Sequence, residues 1–119
     1  MPFTAHVHHG RPYLLGQLSG PATLADLCGA ADMLATIAER AGHKRLVVNM
    51  LGIEPQLTFT EHLQLGTYVG ARFERLDRVA TVVTPLNRSG VSEKVAQKTG
   101  ARLQAFTDLA EAMSWIGAA

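Results

Sequence analysis

Two apolar runs constrain the fold of this chain more than any other feature. They are Arg45-Leu46-Val47-Val48-Asn49-Met50-Leu51 and Val79-Ala80-Thr81-Val82-Val83-Thr84. A strand wetted on one face alternates apolar and polar residues, because successive side chains point to opposite sides. A strand covered on both faces is free of that alternation, and such strands belong to mostly parallel sheets clothed by helices. Both runs therefore predict interior strands of an α/β sheet.

The segments around them supply the rest of the order. Residues 4–9 alternate weakly and predict an edge strand, Gly10-Arg11-Pro12 a turn, and residues 13–18 a second strand, so the chain opens with a hairpin. Ser19-Gly20-Pro21 is expected to end that strand. Thr23 and Asp26 stand at capping-box spacing and open a helix. Its Leu24, Leu27, Cys28, Ala31, Leu34, Ala35 and Ala38 recur at three- and four-residue steps, and Gly42 closes it. After the first apolar run, residues 52–57 read as a loop. Thr58 and Glu61 repeat the cap spacing, and Phe59, Leu63, Gly66, Gly70 and Phe73 are expected on one face of a second helix. Residues 85–90 read as a loop, 91–98 as a short helix and 101–106 as the last strand, and a final helix is capped by Asp108 or Thr107. The order predicts one α/β domain over residues 2–116. Its sheet has five strands, mostly parallel, with the hairpin strand at or near an edge, about four helices and right-handed crossovers.

Composition excludes several functions. With 11 basic and 10 acidic side chains, the net charge is +1. That gives no field to hold nucleic acid or an anionic membrane surface. Cys28 is the single cysteine, which rules out an internal disulfide and a cysteine-rich zinc site. Its place on the first helix's stripe predicts a small core hydrophobe. No stretch approaches the ~20 apolar residues of a membrane span. The first residues show no basic segment followed by an apolar run. A cytoplasmic protein is expected, with no nucleic-acid partner and no stable membrane insertion.

The strand-strand-helix opening, the two apolar runs and above all the ending Phe106-Thr107-Asp108-Leu109-Ala110-Glu111-Ala112-Met113-Ser114-Trp115-Ile116 resemble the SpoIIAA-like proteins. That bacterial family is similar to the STAS domains of anti-sigma-factor antagonists and, more distantly, to the lipid-binding CRAL-TRIO fold. The resemblance runs from about Phe3 to Ile116 and implies the fold above. A signalling STAS protein carries Asp-Ser-Ser-Gly or a close variant at the start of the helix after its third strand, where a kinase modifies a serine. The corresponding stretch here is Gln56-Leu57-Thr58-Phe59-Thr60-Glu61, without serines. Thr58 and Thr60 are the nearest hydroxyls and thus the candidate phosphorylation sites, although Thr58 also serves as a helix cap.

No motif specifies a reaction. There is no Gly-rich phosphate loop and no nucleophile elbow. His6 and His8 share one strand face and would make two legs of a metal site, but no acidic or cysteine ligand is near in sequence. Polar residues there discourage strand addition, so no metal is assigned. His43 and His62 are expected at the surface. Glu54 and Glu61 suggest no rigid acid–base pair. No catalytic residue and no cofactor are assigned.

Ligands of open parallel sheets bind beyond the carboxyl ends of the strands. The loop 85–90 feeds a helix N-terminus, where free N–H groups favour an anion, and Arg88 and Ser89 add donors. Arg88, Ser89, Gly90, Ser19 and Gly20 are therefore the expected ligand- or anion-binding residues. Gly66 and Gly70 each cost a helix up to about 1 kcal/mol relative to alanine, which implies that something approaches closely. With Tyr68, Val69 and Phe73 they form an expected homodimer interface or a face for a ligand. Trp115 is expected to be buried against the sheet. The leading reading is a non-enzymatic regulatory or ligand-binding module for a protein partner or a small amphipathic molecule. The alternatives are a phosphorylation-controlled partner switch and a small enzyme using His62, Glu61 and the Arg88 loop at the strand ends.

Overall fold

Five strands lie side by side in the order in which the chain makes them. They are β1 (Thr4–His9), β2 (Leu14–Ala22), β3 (Arg45–Pro55), β4 (Arg78–Val82) and β5 (Leu103–Phe106). The hairpin pair β1–β2 is antiparallel, the other pairs are parallel, and β1 is an edge. Four helices complete the domain: α1 (Leu24–Ala41), α2 (Phe59–Arg72), α3 (Val91–Thr99) and α4 (Leu109–Gly117). The computed structural model describes residues 2–87 and 90–118.

Sequential strand order and crossovers of one hand place α1, α2 and α3 on the same side of the sheet. The helix that follows the last strand, α4, covers the other side, against β3, β4 and β5. This explains the two apolar runs. Leu46, Val48 and Val79 belong to the core under the first three helices, whereas Val47, Ala80 and Val82 pack with Ala112 and Ile116 of α4. On the three-helix side, α1 lies on β2 and α3 on β5, and α2 makes most of its close backbone contacts with α3 and α1.

The caps form as their spacing predicts. Thr23 and Asp26, and Thr58 and Glu61, make reciprocal capping boxes, and Gly42 ends α1 in the left-handed region at φ 77°. Asp108, not Thr107, caps α4, accepting from Ala110 N–H at 2.9 Å.

Two expected breaks are strand instead. Ser19, Gly20 and Pro21 pair with Gly52, Ile53 and Glu54, so β2 runs to Ala22 and β3 to Pro55. A register shift between Gln17 and Ser19 absorbs the irregularity. Gly20, at φ 94°, takes a backbone angle open to few other residues, and a side chain there would run into the Pro2 carbonyl. Pro21 lies beyond the last β1 pair, Thr4 with Ser19, so its missing N–H leaves no β1 carbonyl unpaired.

Trp115 is half-buried, not enclosed. Its ring tilts against Phe106 at 5.7 Å, with the Arg78 guanidinium 5.4 Å from its centroid. With one helix on that face, only side chains aimed straight at the sheet are covered from every direction, and these are Ala112 and Ile116. Arg45 and Arg78, at the starts of β3 and β4, hold the end of α4. Arg45 donates to the Ile116 carbonyl at 2.6 Å and Arg78 to the Trp115 carbonyl at 2.7 Å. Cations at a helix C-terminus satisfy its free carbonyls and oppose its dipole.

Candidate functional site

The inward face of α2 carries His62, Leu65, Gly66, Val69 and Phe73, at steps of three and four residues. Beneath it lies a cavity of about 140 Å³. Leu27, Ala31 and Leu34 of α1 form one wall, Val48 and Ile53 of β3 with Thr81 and Val83 the floor, and Ser92, Glu93 and Ala96 of α3 the other wall. These walls are apolar except toward the carboxyl ends of β3 and β4.

The glycines account for the cavity. A Cβ at Gly66 would sit 2.7 Å from the Ser92 carbonyl oxygen and from Val95 Cβ. A Cβ at Gly70 would sit 2.6 Å from Thr99 Cβ and 2.7 Å from the Ala96 carbonyl oxygen. Only glycine lets α2 lean this closely on α3, and a helix seated sideways on its neighbour is held off the sheet. On its other flank, α2 is tied to α1 by polar contacts. Tyr68 Oη donates to the Asp32 carboxylate at 2.6 Å, and Arg72 reaches Asp32 at 3.0 Å and Thr36 at 3.0 Å. The Tyr68 hydrogen bond, helped by Arg72, holds the Asp32 carboxyl below its ordinary range against the opposing effect of burial. The same bond pushes the Tyr68 phenol up. Cys28, half-buried one turn before Asp32 and not in the core proper, is raised by burial and by that carboxylate.

Polar groups gather at one end. His62 Nδ1 lies 3.3 Å from Ser92 Oγ, and Ser92 Oγ donates to the His62 carbonyl at 3.1 Å. The Glu93 carboxylate accepts from Ala105 N–H at 2.7 Å. Asn87 and Gly90, the latter capping α3 at φ 80°, line the same end.

Of the expected ligand residues, Gly90 reaches this cavity. Arg88 and Ser89 lie outside the described residues. Ser19 and Gly20 sit in β2 away from the cavity, with Ser19 Oγ 3.1 Å from Thr4 Oγ1. Of the expected interface residues, Gly66, Gly70 and Phe73 are buried and Tyr68 is 40% exposed. Gly66 and Gly70 meet α3, Val69 and Phe73 line the cavity, and Tyr68 bonds Asp32. The true inward stripe is rotated from the expected one, which leaves Phe59 67% and Leu63 37% exposed. Thr58 Oγ1 accepts from Glu61 N–H at 3.2 Å, and Thr60 is exposed in the first turn. Glu61 returns to Thr58 N–H at 3.0 Å, so it does not pair with His62. His6 and His8 are exposed on β1, and among the described residues no three potential ligands converge for a metal. His9 and His43 stack across the strand end, Nδ1 to Nε2 3.1 Å apart. The Phe59–Leu63 spacing points to the wrong side of α2 and hides the place of His62 in the cavity lining. The run His62, Leu65, Gly66, Val69 was the available signal.

Two solved structures share this architecture across nearly the whole chain. An anti-sigma factor antagonist from Mycobacterium paratuberculosis superposes with a TM-score of 0.67 at 15% identity, covering 97% of this chain and 94% of that one. A protein of the DUF3478 family from Shewanella loihica, with a SpoIIAA-like fold, gives 0.58 at 16% identity, covering 96% and 93%. The fold is SpoIIAA-like. No family model matches the sequence, and no curated protein does.

The α2–α3 contact yields a sharp expectation. Gly70→Ala would add about 1 kcal/mol of helix propensity in isolation. Here it should instead destabilise the protein by about 1–3 kcal/mol through overpacking, read from the urea midpoint. An unchanged or raised midpoint would show that α2 is free to move off α3.

Proposed function

We propose that this domain is a non-enzymatic binding module and that the cavity beneath α2 holds a small, mainly apolar ligand. The cavity itself carries the reading. Protein interiors contain few voids larger than a water molecule. The cavity is half open at its mouth, and the apolar side chains around its roughly 140 Å³ of space lack packing partners on that side. The Gly66 and Gly70 contacts prevent α2 from collapsing to supply them. Toluene should raise the melting temperature of the parent protein in proportion to its occupancy. Ala31→Leu, which puts protein atoms into the same space, should raise stability and abolish the toluene shift. Equal shifts in both proteins would place toluene elsewhere and remove the support for this reading.

A second reading has its own observation. At the strand carboxyl ends Phe59 is 67% and Leu86 95% exposed, with Thr60 beside Phe59. Such an apolar end suits a protein partner or a second copy, and a phosphate on Thr60 would bring about two negative charges to it. This is the partner-switch alternative, and the anti-sigma factor antagonist among the structural neighbours supports it. A homodimer through this end should sediment as two chains and fall to one in Phe59→Glu. A parent that sediments as one chain would rule the homodimer out.

A further inference from the structure

We infer that the cavity selects a neutral ligand that donates a hydrogen bond: a compact apolar body bearing one hydroxyl, with that hydroxyl given to Nε2 of His62. The inference rests on the cavity being a binding site and specifies the chemistry of what enters it.

The Ser92 hydroxyl has one hydrogen. The His62 carbonyl, 3.1 Å away, can only accept, so it takes that hydrogen. The same Ser92 oxygen lies 3.3 Å from His62 Nδ1. For both contacts to be hydrogen bonds at once, the oxygen must be the acceptor in this second contact and Nδ1 must carry the hydrogen. A neutral imidazole protonated on Nδ1 presents a lone pair on Nε2. Among the described residues nothing donates to that nitrogen, while His62 lines the cavity's polar end. That tautomer is held by the single ring contact to Ser92 of α3, and it puts the acceptor on a residue that lines the cavity.

The surroundings narrow the class further. The Glu93 carboxylate lines the same end, so a carboxylate ligand would meet a like charge at short range. The volume sets the size. The space of about 140 Å³ is close to the ~150 Å³ apolar cavity known to admit benzene, which suits a body of roughly six to nine heavy atoms seated inside the half-open mouth. A phenol or a short aliphatic alcohol has these properties, and p-cresol is a suitable probe. Its hydrocarbon isostere p-xylene fills the same volume without the donor, and benzoate replaces the donor by a negative charge.

The test compares these three probes by isothermal titration with the full chain at pH 8. The expected result is p-cresol binding about five- to ten-fold more tightly than p-xylene, the ratio a single hydrogen bond supplies, with no binding of benzoate. In His62→Leu the p-cresol to p-xylene ratio should fall to near one. The ¹⁵N shifts of the His62 ring in the parent give a readout that needs no variant: they should show the hydrogen on Nδ1, and p-cresol should perturb Nε2. If neither p-cresol nor p-xylene binds, the cavity-binding reading fails and this inference with it. If both bind equally, if benzoate competes with p-cresol, or if the hydrogen sits on Nε2, the cavity still binds apolar molecules but the selection for a hydroxyl donor is wrong.

Discussion

The seating of α2 on α3 determines the arrangement of everything beneath α2. Gly66 and Gly70 allow the helix to approach the Ser92 and Ala96 carbonyls closer than any side chain would permit. The helix backbone therefore rests mainly against its neighbouring helices, while Leu65, Val69 and Phe73 reach the shared core. Asp32, Tyr68 and Arg72 fix its other flank to α1. A helix held at both edges bridges the core instead of filling it, and the cavity is the geometric remainder. Two glycines in an otherwise ordinary helix would each be unfavourable in isolation. Their effect is understood only from the neighbour they admit.

Much of the architecture was legible because it depends on short-range chemistry. The reciprocal capping of Thr23 with Asp26 and of Thr58 with Glu61 is local, as is the turn at Gly42, and all three form where their spacing places them. The two apolar runs report burial on both faces, which a period of two residues makes plain. The failures were of another kind. Ser19-Gly20-Pro21 has the composition of a turn, yet it stays in the sheet because its pairing depends on β1 ending at Thr4, a property of the neighbouring strand. Phe59 and Leu63 mark a false inward stripe on α2, because large apolar side chains outweigh a histidine in any hydropathy count. The stripe instead runs through His62 and Gly66. Likewise the partners of Arg45 and Arg78 are carbonyls some 71 and 37 residues away in sequence, beyond the reach of local reasoning.

The site shows how one fold divides structural and functional tasks. The face under α4 is closed by a single helix whose C-terminal carbonyls are held by two arginines, and its core is filled by Val47, Val82 and Ile116. The three-helix face carries the cavity. Its polar groups are confined to the carboxyl ends of β3 and β4, the side of a parallel sheet where strand-to-helix connections gather. There Ser92 donates to the His62 carbonyl and lies against the His62 ring, and Glu93 accepts from Ala105 N–H, which fixes the orientation of all three.

A half-open, largely apolar space persists between α2 and the sheet because α2 rests on α3. Xenon reports this directly, since it enters apolar cavities without needing a hydrogen-bond partner. Crystals of the protein pressurised with xenon should show a bound atom among Leu34, Val48, Val69 and Phe73, with α2 unmoved. A structure in which α2 has settled onto β3 and β4, leaving no xenon there, would contradict the account.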